Sequence, residues 1–225
     1  MIWIIFIALT IASYVVSKVL DSHFNKYSKI PTDGGLTGKE VAERMLYDND
    51  IHDVKVVSTS GRLTDHYNPA DKTINLSHDV YYGNSVVAAA VAAHETGHAV
   101  QHNVGYSWLQ MRSVLVPAVS FVSKWVQWIL LAGIILVNKL PNLLLIGILL
   151  FALTTLFSII TLPVEVNASK RALVWLNTHS VTSQQTHTHA EKALRLAAYT
   201  YFIAAISSLA TLLYYILIYL GGNRR

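Results

Sequence analysis

Four runs of apolar residues, at 1–20, 113–138, 143–162 and 196–220, constrain this 225-residue chain more than any other feature in it. Each is close to the roughly 20 residues an α-helix needs to cross the hydrocarbon core of a bilayer. Backbone inside that core must satisfy its own polar groups, which selects helices. Composition agrees: 53% of residues are hydrophobic and 13% are charged, against about 25% charged in an ordinary soluble domain. The expectation is a mainly α, four-span integral membrane protein with one modest water-facing part. The first run competes with a secretory signal, but it lacks a positive leading segment and a small-residue cleavage site, so a retained transmembrane helix is expected. Lys124 interrupts the second run. This points to a long helix whose first turns stay outside the bilayer, with Lys124 snorkelling beside Trp125 and Trp128. Lys139-Leu140-Pro141-Asn142 reads as the turn into the third span. Basic loops beside spans account for the net charge of +4, which calls for no nucleic-acid partner.

Between the first two spans, residues 21–112 mix polar and charged side chains. Thr37-Gly38-Lys39-Glu40 has capping-box spacing and opens a helix to about Tyr47. Val54-Lys55-Val56-Val57 and Thr73-Ile74-Asn75-Leu76 read as strands, with Asn68-Pro69-Ala70-Asp71 turning between Tyr67 and Thr73. This small α+β unit is too short to bury a large core by itself. It leads into an Ala/Val-rich helix over 86–102, capped by Ser85, that carries His94-Glu95-Thr96-Gly97-His98. Residues four apart stack one turn above each other, so His94 and His98 present two imidazoles to one metal ion. Glu95 projects to one side, where it reaches a water rather than the metal, as a general base does in zinc hydrolases. The competing reading is a buried helix that happens to carry two His. Gly97 costs such a helix about 1 kcal/mol relative to Ala, so close approach of another backbone or of substrate is expected there. The chain has no cysteine, so a zinc site must use His and carboxylate.

Two crossings after the paired His, the chain is back on their side of the membrane. The polar segment 163–195 opens there with Pro163-Val164-Glu165-Val166-Asn167-Ala168-Ser169-Lys170-Arg171. A carboxylate at the mouth of an apolar helix is costly unless partnered, which makes Glu165 the candidate third ligand. An ion pair with Lys170 or Arg171 is the alternative. His187 and His189, with His179 upstream, read either as a second metal site or as a solvated loop. His102, one turn beyond His98, reads either as a ligand or supporting residue of the metal or as a capping or hydrogen-bonded His near the helix end, with the second reading preferred.

These residues resemble the pattern of membrane-embedded gluzincins, in which H-E-x-x-H is followed by an E-x-x-A-D segment supplying the third ligand. Asp65-His66-Tyr67-Asn68-Pro69, the run from Ala92 to His102 and Leu162-Pro163-Val164-Glu165 resemble, more closely, the bacterial YugP-type zinc-dependent membrane peptidases. The likeness covers most of the chain, including the one-plus-three arrangement of spans. It implies a zincin-like domain between spans one and two, Zn2+ as cofactor, and an endopeptidase of the bacterial cytoplasmic membrane. Ser169 stands where the wider pattern has Asp. The carboxylate that usually orients a ligand His is therefore missing at that position, and Asn167 or another residue would have to serve.

The chemistry expected is peptide-bond hydrolysis, with zinc on His94, His98 and Glu165 and with Glu95 as general base. His66, Tyr67, Arg171 and His179 are the candidates for stabilising the oxyanion. An exposed edge on the strand at Thr73 to Leu76 could pair with an extended substrate. The partners expected are the lipid bilayer, a protein or peptide substrate, and another membrane protein that nothing in the chain identifies. Lys18, Lys26, Lys29, Lys170, Arg171, Lys192 and Arg195 place the site on the cytoplasmic side by the positive-inside rule, with Arg224-Arg225 against it. Two other function classes stay open. A non-catalytic membrane scaffold would keep a structural zinc with a closed fourth coordination position. A metal transporter would hold the motif inside a span, whereas Tyr81 to Ser85 and Gln101 to Asn103 flank it here with polar residues.

Overall fold

Helices make up most of the chain. In the computed structural model, which describes residues 2–222, the order is α1 (Ile2–Tyr27), α2 (Gly38–Asp48), β1 (Lys55–Thr59), β2 (His66–Asn68), β3 (Thr73–Ser77), α3 (His78–Tyr81), α4 (Val86–Asn103), α5 (Ser107–Ile135), α6 (Pro141–Thr178) and α7 (Gln184–Gly222). Met1 and Arg224-Arg225, which entered the span and sidedness arguments, lie outside the described residues. Four helices, α1, α5, α6 and α7, are long and apolar enough to cross a membrane. Ile7, Phe121, Trp128, Leu149 and Leu213 on them are exposed, a surface suited to hydrocarbon rather than water.

One compact unit comprises residues 15–109 and 163–199. Its core joins Val41 and Met45 of α2, Ile74 and Leu76 of β3, Ala89, Ala90 and Ala93 of α4, Leu176 of α6 and Leu194 of α7. The capping box expected at Thr37 is present: Thr37 Oγ1 accepts from the Glu40 amide at 3.3 Å, and Glu40 Oε2 accepts from the Thr37 amide at 2.8 Å. The sheet has the order β1-β3-β2, with β1 parallel and β2 antiparallel to β3. This corrects the expectation of an exposed edge at Thr73 to Leu76, because both sides of β3 are paired and Ile74 and Leu76 are fully buried. The free edges belong to β1 and β2. Strand β2 spans three residues, too few for an alternating pattern to show.

The polar segment after the third apolar run is also not a loop. Pro163 removes one backbone donor, yet α6 continues through it to Thr178. After a short turn, α7 begins at Gln184, so the solvated-loop reading of His187-Thr188-His189 is overturned. Two features explain the helix there. The Ser183 hydroxyl accepts from the Thr186 amide at 3.4 Å, and Asp33 accepts from the Ser183 amide and, at 2.9 Å, from the Thr186 hydroxyl. Ala190, Ala193 and Leu194 then supply a small buried face.

The other unit draws on residues 2–14, 110–162 and 200–222. Val122, Val126 and Leu130 of α5 pack with Leu144 and Ile148 of α6. Gly133 sets the approach of these two helices: a Cβ there would lie 2.7 Å from Cα of Leu144. Small residues at such crossings are the usual device for close packing of helices in lipid. A Thr155–Ser208 hydroxyl pair at 2.8 Å joins α6 to α7.

Candidate metal centre

Helix α4 starts where the sequence marks it. Ser85 Oγ accepts from the Ala88 amide at 3.2 Å, while Val86 N–H donates to Ile30 O at 2.8 Å and pins the chain as it enters the helix. A run of small side chains, Ala88, Ala89, Ala90, Ala92 and Ala93, lets the helix thread the core and stay almost wholly buried. Gly97 then has a clear purpose. A Cβ on it would lie 2.8 Å from Ala168 O and 3.2 Å from Ala168 Cα, so α6 crosses with its backbone against this turn. That crossing brings Glu165, one turn before Ala168, to the two His. Gly97→Ala is expected to force α4 and α6 apart, at about 1–3 kcal/mol for an overpacked contact. Thermal unfolding should show a lower Tm, and the same preparations should hold less zinc.

Glu165 Oε2 lies 3.2 Å from His94 Nε2 and 3.7 Å from His98 Nε2. The three donor atoms fall within 4.8 Å of one another, the one such group among the described residues. Donors bound tetrahedrally at about 2.0–2.1 Å would be about 3.3 Å apart, so two imidazole nitrogens and a carboxylate oxygen at these separations suit zinc. The Glu165 side chain is only 3% exposed. Burial alone would raise its carboxyl, but the hydrogen bonds and charges of His94 and His98 outweigh that and hold it well below the usual carboxylate range. Burial likewise pushes the His98 imidazole down, and the Glu165 hydrogen bond with the charges of Glu95 and Glu165 more than reverses it. An anion this deep needs positive charge beside it, which imidazolium protons or a metal cation can each supply.

The residues that hold this group were given no such role by the sequence. Gln101 is fully buried. Its Nε2 donates to Val164 O at 2.8 Å and to Asn167 Oδ1 at 3.0 Å, and its Oε1 faces His98 Nδ1 at 3.0 Å. An amide oxygen only accepts, so His98 donates to it from Nδ1, and Nε2 is the nitrogen that faces Glu165. Ser169, the departure from the wider pattern, places its hydroxyl 3.1 Å from His94 Nδ1 and so supports that ring itself. Glu95 Oε2 accepts from the Tyr67 amide of β2 at 3.0 Å. The signals were present as helical spacings, Gln101 three after His98 and Ser169 four after Glu165. Gln101→Leu is expected to weaken zinc binding about 10- to 100-fold, the usual cost of losing such a support, as read by competition with a chelator.

Residues 2–220 match the family described as "Putative neutral zinc metallopeptidase". The chain belongs to this zinc metallopeptidase family. It is also 41% identical over 223 residues to the protein named "Putative membrane protease YugP" of Bacillus subtilis (strain 168), across 97% of this chain and 98% of that protein. No solved structure matches the chain. The zinc that the family name implies suits the donor set just described.

The remaining candidates in this zinc metallopeptidase family member scatter. Tyr67 presents its amide to Glu95, and its hydroxyl pairs with His102 Nδ1 at 2.7 Å. His66 is exposed, its Nδ1 on Thr64 O at 2.8 Å. Arg171 Nε donates to Asn167 Oδ1 at 2.8 Å, so Asn167 reaches His98 only through Gln101. His179 is engaged by Asp48 at 3.2 Å and stacks on Trp175. His187 meets the Thr182 hydroxyl at 3.0 Å, and His189 stacks on Tyr27 at 4.6 Å. Among the described residues, these three His form no second metal-holding group.

Proposed function

We propose that this chain is a zinc-dependent membrane endopeptidase that hydrolyses peptide bonds of membrane or membrane-proximal proteins. The observation that carries the proposal is Glu95: a carboxylate whose charge acts on His98 of the three-donor group and which accepts from the Tyr67 amide at 3.0 Å. His94, His98 and Glu165 would hold the zinc. When bound, that ion supplies Lewis acidity towards a peptide carbonyl and makes a water more acidic.

The chain's own residues do the rest. Glu95 accepts the proton of the attacking water and returns it to the leaving amine. Its hydrogen bond to Tyr67 fixes which oxygen faces the water. Of the four oxyanion candidates, Tyr67 is favoured, because its backbone amide already meets Glu95, while its hydroxyl is held by His102. The outer edge of β2 takes the place first sought on β3 as the strand on which an extended substrate could lie.

Passage of α1, α5, α6 and α7 through the cytoplasmic membrane is supported by their length and exposed apolar side chains. The positive-inside rule supports a cytoplasmic site. Among the described residues, three protein donors rather than four favour an open catalytic position over the scaffold reading. The motif helix α4 is not among the helices apolar and long enough to cross a membrane, which disfavours a transporter. The test is cleavage of an unfolded membrane protein by the purified full chain, before and after chelation and zinc add-back. Cleavage lost on chelation and restored by zinc is expected. A fully zinc-loaded chain that cleaves nothing would move the scaffold reading ahead.

A further inference from the structure

The unit that holds the metal centre also contains a cavity of about 420 Å³, whose walls include Met45 of α2, Val100 of α4 and Asn167, Lys170, Arg171 and Trp175 of α6. Its floor is apolar, since Met45, Val100 and Trp175 are buried. The indole N–H of Trp175 is already used, donating to Asp48 at 3.0 Å. What the rim offers is a surplus of donors. Arg171 spends its Nε on Asn167 Oδ1 at 2.8 Å and leaves its two terminal nitrogens, the pair that grips an oxyanion side by side. Asn167 Oδ1 is taken by both Arg171 and Gln101, so its amide nitrogen is the group left to give. Among the described residues neither Lys170 nor Arg171 has a carboxylate partner, and no carboxylate lines the cavity.

Solvated cations beside a membrane span are the bland alternative, but they need neither an apolar floor nor a fork fixed through its Nε. We propose that this cavity binds a phosphate group carried on an apolar stem, with Arg171 and Lys170 on the oxygens and Trp175 under the stem. A phospholipid headgroup and a soluble organic phosphate share that chemistry. The proposal does not depend on zinc. The same Asn167 oxygen supports Gln101, which places the site on the hydrogen-bonded chain that ends at His98.

The test titrates phenyl phosphate into the full chain in dodecyl maltoside micelles, which carry no phosphate of their own, followed by phosphorus NMR. Saturable binding below about 10 mM is expected, weakened about tenfold or more by Arg171→Gln through loss of charge-assisted hydrogen bonds. Lys170→Gln, at an exposed position, keeps the proposal testable if Arg171→Gln misfolds, and it too should weaken binding. Lys192→Gln, on α7 outside the cavity, should not. No saturable binding, or equal weakening by Lys192→Gln, overturns the proposal. Once binding is seen, phosphatidylglycerol nanodiscs identify its source: displacement of the probe marks a lipid headgroup, and undiminished binding marks a soluble phosphate.

Discussion

Glu95→Gln is expected to lower peptide-bond cleavage by about 10²- to 10⁴-fold, the usual contribution of a positioned general base, while bound zinc stays at the wild-type level. The substitution suits the question because it preserves shape. A Gln carboxamide oxygen can still accept from the Tyr67 amide, now 3.0 Å from the carboxylate, so β2 and α4 keep their contact. The proton-accepting capacity is what disappears. Metal content and cleavage, measured on the same preparation, separate the two roles. Wild-type cleavage in Glu95→Gln would remove Glu95 from the chemistry.

Glu165→Gln is expected to have the opposite profile. A neutral carboxamide of the same shape fits the site 3.2 Å from His94 and 3.7 Å from His98, yet it is a poor zinc ligand. Two imidazoles alone should bind zinc more weakly by over about 100-fold, more than the loss of an outer support costs. Cleavage should fall with the metal, and competition with a chelator measures the change directly. The crossing of α4 and α6 at Gly97 and Ala168 does not involve this side chain, so the helices should stay together. Unchanged zinc affinity in Glu165→Gln would mean that the third donor lies elsewhere.

What the sequence disclosed followed from local rules. The spacing of His94 and His98 puts them on one helix face whatever the fold, and the residues from Thr37 to Glu40 carry their own cap. Glu165 was found by counting membrane crossings, a topological argument that needed no contact information. The structure brings it within hydrogen-bond reach of His94. The roles of Gln101 and Ser169 were not found, because each also rests on a contact between helices: 63 residues separate Gln101 from Val164, and 75 separate Ser169 from His94. Only the close approach that Gly97 permits reveals them. Other errors share a physical origin. The change to polar residues at 163 looked like the end of the third span's helix, but α6 runs on through Pro163 to Thr178, since one lost hydrogen bond does not stop a packed helix. His187 and His189 looked like loop residues because the buried face beneath them is made of Ala190, Ala193 and Leu194 rather than a strong apolar stripe. Strand β3 looked like an edge because β2, its partner, is too short to be seen.

The central claim is that His94, His98 and Glu165 jointly hold one zinc ion. Zinc K-edge X-ray absorption on the purified full chain, with metal stoichiometry measured alongside, tests it most directly. The account predicts one zinc per chain with nitrogen and oxygen neighbours at about 2.0–2.1 Å and no sulfur. It also predicts loss of that zinc from Glu165→Gln and its retention in Glu95→Gln. Zinc bound with the same neighbours and the same affinity in Glu165→Gln would contradict it.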